Sequence, residues 1–294
     1  MQEWTGVAGK RVIITGATGG IGLAAAQGLA RRGGRLSIVA RSEPRAAAAT
    51  QLITAAGGAG TEVEVLTADL SSQASIRELA AEILARHPRV DVLINNAGAV
   101  NSYRRLTVDG LELTWAVNHL APFLLTTLLL DRIRASAPAR IITTSSGAHR
   151  GVHIPFDDIN AERGLGAGGF TRYGQTKLAN ILFTAELARR LEGSGVTANC
   201  FHPGFVRTGF NRNNSGFMRF GMSLASPFAR SPQKGAETLV WLADSAEVSS
   251  ESGGYFMDRK RRQPSEAARD MLAARRLWEL SEEQTGDRAA ATPG

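Results

Sequence analysis

The sequence predicts an α/β protein, a single doubly wound parallel sheet of about seven strands with helices on both faces. Three observations point there. Short β-branched runs alternate with helical stretches from end to end, which within one sheet requires right-handed crossovers. The first strand runs are continuously apolar rather than alternating, as strands covered on both faces are. A glycine-rich string stands where the first strand gives way to the first helix, the place where such sheets bind a nucleotide's phosphates.

The elements follow in order. RVIIT (11–15) forms the first strand, with a helix expected over 20–32. RLSIVA (35–40) leads into a helix over 43–56 that opens on Glu43. EVEVL (62–66) and VDVLIN (90–95) flank a helix over 72–86. A long apolar helix is expected over 108–134, then strand ARIITT (139–144), a helix over 172–192, strand VTANCF (196–201), a helix over 232–243 and strand GYFM (254–257). A final helix is expected from about 265 to 285, closing one domain over 1–286, and the polar tail 287–294 is expected to be disordered. Two segments break the alternation. Residues 151–171 are glycine-rich and read as a mobile loop. Residues 205–231 carry Phe205, Phe210, Phe217, Phe220 and Phe228 among glycines and arginines, and read as an apolar lid over a substrate crevice.

Composition excludes several classes. With 294 residues, 43% of them hydrophobic, the chain can bury a large core, and with Cys200 as its one cysteine it holds no internal disulfide. No uninterrupted apolar run approaches 18 residues, so no membrane span is expected. The N-terminus lacks a basic-then-apolar signal layout, which makes a cytoplasmic enzyme the expectation. The formal charge is +7, but the densest basic run, Arg259–Arg262, has no interleaved aromatics to stack bases. It is expected to be a solvated surface turn, with no nucleic-acid partner. The histidines show no ligand spacing, and no metal site is expected.

The string Thr15-Gly16-Ala17-Thr18-Gly19-Gly20-Ile21-Gly22 offers a tight turn, close backbone approach to a pyrophosphate, and free N–H groups at a helix start. A site selecting NAD commonly places an acid after the second strand. Here Ala40-Arg41-Ser42 stands there, and a guanidinium can take a 2′-phosphate bidentately, so NADP(H) is the expected cofactor. Tyr173 and Lys177 are four residues apart in a helical stretch, hence on one face. A phenol has a pKa of ~10, and a neighbouring ammonium pulls it toward neutrality. Ser145 and Ser146 end the fifth strand, at the rim where open α/β sheets bind ligands. Asn118 lies in a helix apolar nearly all round, and Pro122, four residues on, has no N–H to give its carbonyl.

Glycines at 16, 20 and 22, Asp69-Leu70 after the third strand, Asn95-Asn96-Ala97-Gly98 after the fourth, Tyr173-x-x-x-Lys177, and His202-Pro203-Gly204 with Thr208 together resemble the short-chain dehydrogenase/reductase family, over about residues 10–257. The resemblance implies a Rossmann-type fold and a catalytic set of Asn118, Ser146, Tyr173 and Lys177. Ser146, rather than Ser145, would hold the substrate oxygen, and the Asn118 carbonyl would hold a relay water. The implied cofactor site comprises Gly16, Thr18, Gly19, Gly20, Ile21, Gly22, Arg41, Ser42, Asp69, Leu70, Asn95, Ala97, Gly98, Tyr173, Lys177, Pro203, Gly204, Val206 and Thr208. The strings TVDGLELTWAVNHLAPFLLT, KLANILFTAELARRL and RRLWELSEEQTG further resemble the retinol dehydrogenase and WW-domain oxidoreductase branch. That implies hydride transfer between NADP(H) and a carbonyl or alcohol of a bulky apolar small molecule. The alternatives are a non-catalytic NADP(H)-binding sensor, and an epimerase or dehydratase using a related hydride step. Family members pair through the helices bearing Asn118 and Tyr173, so a homodimer is expected, or a monomer if the final helix caps that face.

Overall fold

The computed structural model describes residues 3–206 and 229–286; the 287–294 tail and most of the expected lid lie outside the described residues. One sheet holds strands β1 (Arg11–Thr15), β2 (Arg35–Ala40), β3 (Val63–Thr67), β4 (Val92–Asn95), β5 (Ala139–Thr144), β6 (Val196–Phe201), β7 (Tyr255–Met257) and β8 (Lys260–Arg262), in the order β3-β2-β1-β4-β5-β6-β7-β8. All neighbouring pairs up to β7 are parallel, and the order reverses between β1 and β4, which opens a crevice at the carboxyl ends of those strands.

The eighth strand exceeds the expected seven. Of the basic run Arg259–Arg262, only Arg259 lies in the expected surface turn; Lys260–Arg262 form a strand. Asp258 and Arg259, at φ 54° and 56°, make a two-residue turn that folds Lys260–Arg262 back antiparallel on β7. Both central residues at positive φ match the twist of a hairpin, but neither is glycine or asparagine, so the sequence carried no hairpin signal. Its three exposed basic side chains, Lys260, Arg261 and Arg262, guard the sheet edge.

Successive strand residues point to opposite faces. Val12, Ile14 and Ile142 pack with Ala25, Leu29, Leu239 and Ala243, from helices α1 (Gly20–Ala30) and α6 (Pro232–Asp244), while α2 (Glu43–Gly57) adds Ala49 and Ile53. Ile13, Leu93 and Ile141 pack with Ile76, Leu79, Leu124 and Phe183 on the other face, from α3 (Gln73–Arg86), α4 (Leu113–Ala135) and α5 (Phe170–Arg190).

Helix α4 starts five residues later than expected. Thr107 N–H donates to the Leu111 carbonyl at 2.8 Å and Gly110 sits at φ 72°, so Thr107–Leu111 is a turn. The buried Glu112 carboxylate then caps the helix, accepting from Thr114 and Trp115 N–H at 2.9 and 3.0 Å. By length and composition α4 could cross a bilayer, contrary to the reading from uninterrupted runs. Here 72% of its most apolar window is buried within the fold, so core packing accounts for its apolarity.

The last helix, α7 (Met271–Thr285), begins at Asp270, whose carboxylate caps Leu272 and Ala273. Residues 267–269 form a separate 3₁₀ turn, so the helix starts six residues later than the expected 265. α7 lies across α4 and α5. Trp278 stacks on Phe183 with centroids 5.9 Å apart and meets Phe123 edge-on at 4.9 Å. His119 Nε2 and Ser281 Oγ are 2.9 Å apart. The 151–169 segment is tied down rather than loose: Arg104 Nε donates to the Asn160 carbonyl, Asn160 Oδ1 accepts from Glu112 N–H, and Arg172 donates to the Ile159 carbonyl.

Candidate active site

The glycine string is stitched to the loop after β4. Thr15 Oγ1 accepts from both Asn96 and Ala97 N–H at 3.0 Å, and Asn96 Nδ2 donates to the Thr15 carbonyl at 3.1 Å. A Cβ on Gly22 would stand 2.2 Å from the Gly16 carbonyl, and one on Gly16, at φ 71°, would stand 2.9 Å from Ala97 Cα. Both positions need glycine. The first turn of α1, after Gly19, contains no acidic residue and no side-chain cap. Its open N–H groups, with Thr18 and Ile21 alongside, form a cradle that fits a pyrophosphate.

The Thr15–Val39 register sets the end of β2, with Arg41 just beyond it, beside the end of β1, where the glycine string begins. Arg41 is exposed and carries no ion pair among the described residues. Ser42 precedes α2 without using its hydroxyl as a cap, and Glu43 is the first residue of that helix. Asp69 shapes the loop after β3, accepting from Ser71 N–H and Oγ at 3.0 and 2.8 Å, with Leu70 beside it. On the far side Val206 pairs with Arg230 and packs near Gly235 and Ile21. Gly204, at φ 83°, lies against the Arg230 guanidinium, which bonds Asp258, and Pro203 leads into it. Thr208 lies outside the described residues.

Asn95 departs from expectation. Its side chain is buried and donates to Thr126 Oγ1 of α4 at 2.9 Å, because the last residue of β4 faces the helix layer. It braces α4 and turns no side-chain atom to the crevice. The neighbouring Asn96, absent from the expected site, ties Thr15 and Gly16 to Thr144, whose hydroxyl donates to Asn96 Oδ1 at 3.3 Å. The double Asn was the available signal, but the alternation that decides which one faces the loop needed the strand's end point.

The catalytic candidates converge beyond β4 and β5. Ser145 is buried and its hydroxyl donates to the Lys177 carbonyl at 2.8 Å, so it is a brace. Ser146 shares a side-chain hydrogen bond with Tyr173. Its hydroxyl also accepts from Ala148 N–H at 3.2 Å, capping the 3₁₀ turn Gly147–His149. Lys177 Nζ lies 5.4 Å from the Tyr173 ring centroid and donates to the Thr144 carbonyl at 3.0 Å. A Cβ on Gly98 would lie 3.4 Å from that ammonium and 3.3 Å from Asn118 Oδ1. Contrary to the expected pull toward neutrality, burial pushes the Tyr173 phenol up to about 12, opposed only by its bond to Ser146, and burial pulls the Lys177 ammonium down to about 8.

The Asn118 side chain is fully engaged. Its Oδ1 accepts from Ala99 N–H and its Nδ2 donates to the Ala99 carbonyl, both at 2.8 Å, with Thr176 Oγ1 a further acceptor at 3.1 Å. It therefore clamps the Gly98–Ala99 loop and reaches no reacting atom by its side chain. The helix is widened there into a π-turn over Ala116–Leu120, in which Ala121 N–H donates to the Ala116 carbonyl. With Pro122 next, the Asn118 carbonyl has no partner at its normal helical position.

Comparison with known proteins decides the family. The sequence profile described as short chain dehydrogenase matches residues 10–156. Mouse (Mus musculus) retinol dehydrogenase 14 is 43% identical over 290 residues, 95% of this chain and 86% of that protein, and human (Homo sapiens) retinol dehydrogenase 13 is 43% identical over 285 residues, 95% and 86%. The chain belongs to the short-chain dehydrogenase family. Within it, the resemblance to the retinol dehydrogenase branch holds. Among solved structures, an uncharacterized protein from Mycobacterium paratuberculosis superposes with a TM-score of 0.76 at 31% identity, covering 97% of this chain and 98% of that one. A short-chain dehydrogenase from Burkholderia cenocepacia in complex with NADP superposes at 0.67 with 26% identity, covering 85% and 96%. The protein is thus an oxidoreductase of this family, with a site built for a nicotinamide dinucleotide.

Proposed function

We propose that this dehydrogenase uses NADP(H) to reduce a carbonyl, or oxidise the matching alcohol, on a bulky apolar small molecule, with Tyr173 as the general acid/base. The observation that carries this reading is the shared hydrogen bond of Ser146 and Tyr173, with the Lys177 ammonium beside the phenol ring. A bound nicotinamide supplies or accepts the hydride. Ser146 holds the substrate oxygen, and Tyr173 delivers a proton to it as charge develops. Lys177 lowers the cost of the phenolate by its charge, and the Asn118 carbonyl fixes a water for proton resupply.

Arg41 and Ser42 would hold the 2′-phosphate, the reading that the absence of an acid after β2 supports. An apolar substrate is supported by the aromatic rim. Phe170 is 48% exposed with its ring 5.9 Å from that of Tyr173, and Tyr103 and Phe205 are exposed as well.

The test is a titration with NADPH and NADH, then NADPH oxidation across a panel of apolar aldehydes and ketones. Turnover that disappears in Tyr173→Phe is expected; equal turnover in that variant would refute the acid/base assignment. Arg41→Ala should raise the KM for NADPH about 10-fold or more and that for NADH little, since a charge-assisted bidentate contact contributes about 1.5–3 kcal/mol. An equal effect on both would overturn the cofactor assignment.

A further inference from the structure

His149 is completely buried two residues past the Ser146 turn's start, and both of its ring nitrogens are engaged. Nδ1 lies 2.7 Å from the Ser146 carbonyl, and Nε2 lies 3.1 Å from the Ser265 N–H. A carbonyl can only accept and a backbone N–H can only donate. The ring is therefore fixed as a neutral imidazole with its proton on Nδ1 and its lone pair on Nε2. Burial holds its pKa below the ordinary histidine value, which keeps it so.

The ring's surroundings are equally determined. Its face meets Tyr255 of β7 edge-on, with centroids 5.1 Å apart. The turn it belongs to is wedged between two elements with no slack. A Cβ on Gly174, next to Tyr173, would stand 2.5 Å from the Ala148 carbonyl, and one on Gly147 would stand 3.1 Å from His202 Nε2. Beside it, Arg150 donates to the Gln263 carbonyl at 3.0 Å. The Ser146 backbone is thus held by His149, its hydroxyl by Ala148 N–H, and the whole turn by the 263–265 segment that runs toward α7.

We propose that His149 is a positioning residue for the reaction: its Nδ1–H fixes the Ser146 carbonyl, and so the direction of the Ser146 hydroxyl toward Tyr173, while its Nε2 fastens the C-terminal segment to the catalytic turn. The kinetic part rests on the oxidoreductase reading above. The two nitrogens have separable effects, because an asparagine amide N superposes on Nδ1 and a glutamine amide O on Nε2. His149→Asn keeps the donor to Ser146 and releases Ser265; His149→Gln keeps the acceptor for Ser265 and releases Ser146.

The experiment compares both variants with the wild type in kcat, KM, NADPH affinity and Tm, alongside ¹⁵N spectra of the histidine rings at pH 7. His149→Gln is expected to lower kcat about 10- to 100-fold, the scale of a misdirected reacting group, with NADPH affinity unchanged. His149→Asn is expected to keep kcat within about threefold despite a comparable fall in Tm. If kcat follows Tm in both variants, or if His149→Gln retains full kcat, the positioning role is overturned. The spectra are expected to show the Nδ1–H tautomer, and an Nε2–H ring would overturn the proposal without reference to turnover. A wild type that oxidises no NADPH on any substrate would count against the reductase reading alone, and the tautomer would still decide the geometry.

Discussion

Removing the Glu112 carboxylate should damage the protein more than any surface change. The side chain is fully buried and serves three donors: Thr114 N–H, Trp115 N–H and Arg172 Nε, at 2.9, 3.0 and 2.8 Å. Arg172 is buried as well, with its guanidinium 4.8 Å from the Trp115 ring centroid. Glu112→Ala loses a helix cap, about 1 kcal/mol, and leaves a buried guanidinium without its counter-charge, about 3–5 kcal/mol. The combined loss, about 4–6 kcal/mol, is a large share of an ordinary stability of about 5–15 kcal/mol. For a chain this long it corresponds to a fall in Tm of roughly 8 °C. The attraction between the two charges largely offsets their desolvation, so removing both should hurt less than removing one. Glu112→Leu with Arg172→Met should regain about half of the single-variant loss. Thermal unfolding followed by circular dichroism, with urea titration for the double-mutant cycle, measures both. A Glu112→Ala variant melting within about 2 °C of wild type, or a double variant less stable than either single one, would refute this account. Activity offers a second readout, because Glu112 caps the helix carrying Asn118 and Arg172 immediately precedes Tyr173.

Further expectations concern the site. Gly22→Ala drives a methyl into the Gly16 carbonyl at 2.2 Å, so fluorescence titration should show NADPH affinity falling at least about 100-fold, with the fold retained by circular dichroism. Lys177 titrates at about 8 in the folded protein against an ordinary value of 10.5, so the unfolded chain binds its proton more tightly. This group's contribution to stability is present above pH 10.5 and is lost as pH falls toward 8. Lys177→Met should therefore be more stable at pH 7 by up to about 3 kcal/mol and yet inactive. A Tm gain that persists unchanged at pH 10.5 would contradict the assignment. Pro122→Ala restores an N–H facing the Asn118 carbonyl. It should fold normally and lower kcat with KM unchanged, and unaltered turnover would show that the proline matters only to helix shape.

How much of this was legible in the chain depended on the range of the interactions involved. The strand–helix alternation, the glycine turn and the Tyr173–Lys177 pairing are products of local patterns, and the structure places them as the sequence expects. Ser146 over Ser145 was favoured by resemblance alone; which partners the two hydroxyls take was visible only in the fold, the Ser145 hydroxyl bonding the Lys177 carbonyl and that of Ser146 sharing a bond with Tyr173. The eighth strand escaped notice because Asp258 and Arg259 adopt positive φ without a residue that advertises it. The 151–171 segment read as loose because glycine composition is visible in the sequence, whereas its anchors, Asn160 to Glu112 and Arg104 to Asn160, join residues 48 and 56 positions apart.

The sequence by itself determined the fold class, the glycine turn after the first strand and the placing of Tyr173 and Lys177 on one helix face. Each follows from short-range geometry: a period of two or 3.6 residues, a Cβ that does not fit, two side chains one helical turn apart. The tertiary structure alone decided how those groups are braced. The clamp of Asn118 on Ala99, the bond of His119 to Ser281 of α7, and the link from His149 to Ser265 join residues 19, 162 and 116 positions apart. Contacts of that kind depend on where separate elements come to rest against one another, and no local pattern encodes it.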